Sequence, residues 1–184
     1  MKKEEALNLI QEKLKNQNFI KHSLAVSSSM EGLAEYFKED KEKWAVAGLL
    51  HDIDYEETKN DMKSHSKLGF KMLKNLGIDA KICNAVLSHN EIHGISPQDL
   101  MAKALYCVDP LTGLIVASTL VLPDRKIESL TVQNILNRFQ EKSFARGANR
   151  EIIKKCEELL NMSLEDFISI CLKSMKNVSQ NIGL

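Results

Sequence analysis

The chain has 184 residues, with 25 Lys+Arg against 25 Asp+Glu, a formal net charge of zero, and 43% hydrophobic but only 5% aromatic residues. That length and apolar share suit one domain, or a domain with a helical extension, and the balanced charge argues against a dedicated nucleic-acid binder, which carries a basic excess. No run reaches the roughly 18 uncharged apolar residues of a bilayer span, and the start Met1-Lys2-Lys3-Glu4-Glu5 turns acidic without an apolar signal core.

Three prolines and eight glycines leave room for long helices, and the apolar pattern follows a period near 3.6 throughout. Leu7, Ile10 and Leu14 make a first stripe, and His22, Val26, Met30, Leu33 and Phe37 a second. Trp44 to Ile53 is apolar nearly all round, the pattern of a central buried helix. Asp61 to Ser64 predicts the start of a helix that ends near Gly77, and Asp79 predicts the cap of the next, which carries Ile82, Val86 and His89. A long apolar helix follows from about Leu100 to Leu122, ending at Pro123. Further helices are expected near 129–142, 148–160 and 163–181, with Ser163 and Asp166 as the capping pattern of the last. The expectation is an all-α single domain over 1–184, with a compact core at about 20–122 and a helical extension over 125–184. The cysteines Cys83, Cys107, Cys156 and Cys171 form neither a CxxC pair nor a small disulfide framework. They read as reduced packing residues of a cytoplasmic protein.

The chemistry lies in polar residues on apolar faces. His22 shares its stripe with Val26, Leu33 and Phe37; His51 and Asp52 close the most hydrophobic helix; His65 leads the stripe Gly69, Met72, Leu76. His89 sits on the Ile82/Val86 stripe and Asp109 inside Leu105-Tyr-Cys-Val-Asp. A buried carboxylate without a partner costs several kcal/mol. Two Asp and four His on inward faces, with no core Arg beside them, therefore point to a metal. Imidazole and carboxylate without thiolate suit Mn²⁺, Fe²⁺, Co²⁺, Zn²⁺ or Mg²⁺. Asp54 is placed to orient a ligand histidine, although a solvated helix end explains it equally. Pro110, directly after Asp109, removes a helical hydrogen bond and is expected to kink the helix. Ser27, Ser28 and Ser29 read as close packing, and His93 as exposed near Gly94.

The order His22 … His51-Asp52 … His65 … His89 … Asp109, with the apolar lead-in Leu49-Leu50 to His51-Asp-Ile-Asp, resembles the HD superfamily of metal-dependent phosphohydrolases. The stretch His51-Asp-Ile-Asp-Tyr-Glu and the run Ser143-Phe-Ala-Arg-Gly147 look like a small bacterial branch of predicted hydrolases. The resemblance covers about residues 20–120 and implies an all-helical core with metal at its centre. It implies His22, His51, Asp52 and Asp109 as ligands of a first ion, with His51 and Asp52 at the chemistry. In members with two ions Asp52 would bridge, and His65 and His89 would hold the second.

The expected reaction is cleavage of a phosphoester or phosphoanhydride of a small, nucleotide-like phosphorylated substrate by a metal-bound hydroxide. No Gly-x-Ser-x-Gly elbow, cysteine nucleophile signature or glycine-rich phosphate loop competes with it. Lys142, Arg146, Arg150 and Lys154 recur every four residues and share a face if a helix runs through Gly147; Arg146 is the expected phosphate contact. Two alternatives use the same ligands: a diiron oxygenase of the HD type, and a metal-bound regulatory module with little turnover. Duplex nucleic acid and membrane are not expected partners. The sequence leaves open whether the helices after 125 cover the site or form a face between copies.

Overall fold

A computed structural model describes all 184 residues, as helices joined by short turns and without a strand. Seven of the helices start at side-chain caps, because the first N–H groups of a helix have no backbone partner. Asn16 caps α2 (Gln17–Phe37), after a short α1 (Lys3–Lys13). Asp40 caps α3 (Lys41–Leu50). A single turn, α4 (Tyr55–Thr58), leads to α5 (Lys67–Asn75). Asp79 caps α6 (Ala80–His89), and Asp99 caps α7 (Leu100–Leu120). The rest is α8 (Val132–Gln140), capped by the reciprocal Thr131/Asn134 pair, then α9 (Arg150–Lys154), α10 (Cys156–Leu159), α11 (Leu164–Lys176) behind Ser163, and α12 (Ser179–Ile182).

The central pair is α2 against α3. Every residue from Trp44 to Leu50 is buried, as the all-round apolar pattern predicts. The approach is close because both partners are small there. A Cβ on Gly48 would lie 2.6 Å from the Ser27 Cα, while Ser27 Oγ donates to the Ala45 carbonyl at 2.9 Å. Ser28 Oγ donates to the Ser174 carbonyl at 2.6 Å, tying α2 to α11. Ser27 and Ser28 are thus packing residues that also satisfy carbonyls, while Ser29 is buried without a partner for its hydroxyl.

Helix α7 is interrupted by Lys103 and Asp109, yet by length and composition it is apolar enough to cross a bilayer; 61% of its most apolar window is buried inside the fold, where it serves as a core helix. Pro110 lies inside α7 without ending it. One hydrophobic core of 45 buried residues runs from Ala6 to Ile182, so the helices after 125 share it with the first part of the chain. All four cysteines are buried free thiols, and burial pushes Cys107 and Cys156 up to about 12.

Three expectations about elements need correction. The helix anticipated from Asp61 begins at Lys67, because Ser66 takes a left-handed backbone (φ 65°) that cannot continue into a helix. Its buried face is accordingly Gly69 and Leu73, and Leu76 is 55% exposed. The helix expected to run through Gly147 does not form, since residues 141–149 are turns between α8 and α9. There the Arg150 guanidinium donates to the carbonyls of Phe144, Ala145 and Ala148, each at 2.6 Å, and Ala145 has φ 43°. Lys142, Arg146, Arg150 and Lys154 therefore share no helical face. The 148–160 and 163–181 segments are each two helices rather than one.

Candidate metal centre

Five elements bring the six expected ligand residues together. His22 lies in the second turn of α2; His51 and Asp52 follow the end of α3; His65 sits in the turn before α5; His89 is the last residue of α6; Asp109 is mid-α7. His51, Asp52, His65 and His89 are buried, whereas the His22 and Asp109 side chains are 28% and 29% exposed because they face a cavity.

The ring orientations follow from what each Nδ1 touches. The last carbonyls of a helix lack partners, and His51 Nδ1 donates to the Gly48 carbonyl at 2.8 Å, His89 Nδ1 to the Val86 carbonyl at 2.6 Å. His65 Nδ1 donates to Asp54 Oδ1 at 2.9 Å, and the other Asp54 oxygen accepts from the Gly69 N–H at 2.8 Å. Thr112 Oγ1 spends its proton on the Asp109 carbonyl and lies 3.4 Å from His22 Nδ1. With the Nδ1 atoms so engaged, the Nε2 atoms carry the lone pairs.

Those lone pairs converge. His22 Nε2 is 3.0 Å from Asp109 Oδ1 and 3.2 Å from His51 Nε2; His51 Nε2 is 3.4 Å from Asp52 Oδ2. On the other side His65 Nε2 and His89 Nε2 are 3.2 Å apart, at 3.3 and 3.5 Å from Asp52 Oδ1. Acceptor atoms this close repel unless a positive charge lies among them. Asp52 turns one oxygen to each group, the arrangement of a carboxylate between two cations. The donor chemistry, neutral imidazole and carboxylate without thiolate, fits divalent metal.

Without metal the cluster draws protons instead. Burial opposes a charged His51, but the Asp52 and Asp109 carboxylates, 3.4 and 3.7 Å from its Nε2, outweigh it and raise its pKa well above the usual range. Burial likewise opposes charge on His65, yet Asp52 and Asp54 lift it to about 9. Burial alone would raise Asp52 and Asp109; their histidine neighbours hold both well below the usual carboxylate range.

A cavity of about 460 Å³ opens on this cluster, lined by His22, Asp52, His89 and Asp109 and by Phe19, Tyr55 and Tyr106 among others. The chain after 125 adds Gly147, Asn149 and Ile152. Arg146 is exposed on the 141–149 loop, and neighbouring Ala145 and Gly147 line a recess beside Asp109 while the Arg146 side chain does not. Five further residues around the site were missed or misplaced in the sequence. Asn90 and His93 both donate to the His65 carbonyl, at 3.3 and 2.7 Å, so His93 is a half-buried prop rather than an exposed residue. Thr112, one turn after Asp109, was readable from its spacing; Glu91 and Asn149, which meet across the rim at 3.2 Å, carry no sequence signal.

The HD-domain family model matches residues 19–114, more than half of the chain and all six residues of the cluster. The chain belongs to the HD-domain family. Proteins of this family bind divalent metals, and the histidine–aspartate cluster is able to hold them. This HD-domain protein is similar to Ribonuclease Y of Lawsonia intracellularis, 30% identical over 139 residues, which are 74% of this chain and 26% of that protein. It is 31% identical over 140 residues to Ribonuclease Y of Staphylococcus epidermidis, and 27% identical over 140 residues to that of Oleidesulfovibrio alaskensis. The chain spans about a quarter of the length of these relatives. No solved structure matches it.

Proposed function

We propose that this HD-domain protein is a metal-dependent phosphohydrolase acting on a phosphoester of a small nucleotide-like substrate. The observation that carries this reading is the pair of converging acceptor sets on the two oxygens of Asp52. His22, His51, Asp52 and Asp109 are assigned to one ion, and His65, His89 and the second Asp52 oxygen to another. Divalent ions there supply Lewis-acid polarisation of a phosphoryl oxygen and a water acidified towards neutrality. The protein's own part is positional. Carbonyls, Asp54 and Thr112 fix the histidine rings, Asp52 holds the two acceptor sets in register, and Phe19, Tyr55 and Tyr106 wall the cavity. No serine, cysteine or lysine lines the cavity to serve as a covalent nucleophile. The ribonuclease name of the relatives supports phosphoester chemistry on nucleotides. We assign Arg146, on the loop beside the cavity, to the substrate's phosphate. Four reduced thiols fit a cytoplasmic site of action.

The test is elemental analysis of protein purified without tag or chelator, followed by p-nitrophenyl phosphate turnover with Mn²⁺. Two ions per chain and turnover are expected, and Asp52→Ala abolishes both while the helical far-UV spectrum persists. Metal retained by Asp52→Ala, or iron with dioxygen uptake and no phosphate release, overturns the reading. Arg146→Ala is expected to raise KM about tenfold with metal content unchanged; an unaltered KM removes Arg146 from the substrate.

A further inference from the structure

A phosphoryl group in the cavity needs hydrogen-bond donors, and few of the lining side chains have one to spare. None of them is lysine or arginine. Asn90 Nδ2 donates to the carbonyls of Met62 and His65, at 3.2 and 3.3 Å, and Asn149 Nδ2 is turned to the Glu91 carboxylate. His89 spends its N–H on the Val86 carbonyl, and the Nε2 atoms of His22 and His89 point into the cluster. That leaves the hydroxyls of Tyr55 and Tyr106, neither of which has a partner within the protein. One cation stands nearby. The Lys155 ammonium lies over the Tyr106 ring, 5.4 Å from its centroid, and lines the adjoining recess with Glu91 and Glu158 rather than the cavity itself. Tyr106 belongs to the wall that cavity and recess share.

Tyr55 is the phenol tied to the centre. Its N–H donates to the Asp52 carbonyl at 2.9 Å, so it sits on the turn that carries Asp52. Its ring packs edge-on against Phe19, with centroids 4.8 Å apart, and against His65, at 5.2 Å. Burial, and then the charges of Asp52 and Asp109, push its hydroxyl above the ordinary tyrosine range, so it remains a neutral donor near both carboxylates.

We propose, resting on the hydrolase reading above, that the Tyr55 hydroxyl is a substrate contact, donating a hydrogen bond to an oxygen of the phosphoryl group bound at the cluster. A neutral donor suits this place. An ammonium or guanidinium beside Asp52 and Asp109 would pair with them and take the acceptors that a divalent ion needs. A phenol adds no charge, cannot pair with a carboxylate as an ion, and still offers one O–H to an acceptor-rich anion. The bond costs little to order. The backbone link to Asp52 and the two edge contacts hold the ring before any ligand arrives, which spares the entropy of fixing it on binding. Lys155, parked on Tyr106 at the recess, does not serve this oxygen.

The test uses the full chain loaded with diamagnetic Zn²⁺ and dialysed free of excess ion, with inorganic phosphate as the probe. The chain has three tyrosines, Tyr36, Tyr55 and Tyr106, so isotopic labelling at the tyrosine Cζ gives three NMR resonances, each assigned by its Phe variant. Phosphate is expected to shift the Tyr55 resonance and to leave Tyr36, which is 54% exposed, in place. Tyr55→Phe keeps the ring contacts and removes only the hydroxyl, so calorimetry is expected to show phosphate binding weakened about tenfold, with Zn²⁺ content and far-UV spectrum unchanged. Tyr36→Phe binds phosphate as the wild type does. A Tyr55 resonance that phosphate does not move, a shift confined to Tyr106, wild-type affinity in Tyr55→Phe, or no phosphate binding by the wild type overturns the inference. The wild-type resonance decides the matter even where Tyr55→Phe loses metal or fold. Phosphate bound at Tyr55 without release of p-nitrophenol from p-nitrophenyl phosphate counts against the hydrolase reading alone and supports the contact.

Discussion

His51 and His89 occupy the same local position, the end of a helix, where each returns its Nδ1 proton to the carbonyl three residues back. This geometry makes the candidate cluster legible in one dimension: a histidine closing an apolar helix is turned inwards by the helix's own unpaired carbonyls. Asp54 was legible for a related reason, being two residues from Asp52, but its double duty to His65 and the Gly69 N–H required the fold. Glu91 and Asn149 were not legible, because nothing in either neighbourhood marks a contact 58 residues apart. The raised His65 gives a pH prediction. With a folded value of about 9 against an ordinary 6.5, its contribution to stability is fully present below pH 6.5 and is lost as pH rises through 9. The chelator-treated protein is therefore expected to lose Tm between those limits. The Mn²⁺-loaded protein, whose ligands have already released their protons, holds its Tm there. Differential scanning calorimetry across pH 6–10 checks this, and a flat metal-free profile refutes it. Asp54→Asn, removing one carboxylate beside His65, moves the fall to lower pH.

Among the elements, the close crossing of α2 and α3 matters most for the centre, since it sets His22 against His51. The all-round apolar run from Trp44 predicted the burial of α3, and the triple serine predicted close packing. Neither showed that Gly48 is the point of contact. Gly48→Ala places a Cβ 2.6 Å from the Ser27 Cα and 2.8 Å from its nitrogen, and backbone cannot yield as a side-chain tip does. Overpacking of this kind costs about 1–3 kcal/mol or more. The variant is expected to unfold at lower denaturant with an unchanged m-value and to bind Mn²⁺ at least about tenfold more weakly, since the His22 to His51 spacing opens. Loss of stability with unchanged metal affinity would show that the crossing does not set the ligand spacing. The later elements were misread where side chains compete with the backbone. In residues 141–149 the Arg150 guanidinium takes carbonyls that a helix would have used, which no periodicity reveals.

At the scale of the molecule, the family match ends at residue 114, yet the cavity is completed by Gly147, Asn149 and Ile152 and the core continues to Ile182. The sequence left the role of the helices after 125 open between a cover and a face between copies; three residues of those helices and their loops, Gly147, Asn149 and Ile152, line the cavity, which only packing could show. The ligand set has a different reach. His22 and Asp109, 3.0 Å apart, are separated by 87 residues, and His22 and His51 by 29. An unfolded chain closes loops of that length only at entropic cost, so it offers no preassembled chelate and the ion waits for the helices. A metal held by this cluster would then act as a latch rather than a nucleus. In stopped-flow chevrons Mn²⁺ is expected to leave the refolding rate unchanged and to slow unfolding in proportion to its binding energy. Faster refolding with Mn²⁺ would mean that these distant helices gather around the ion.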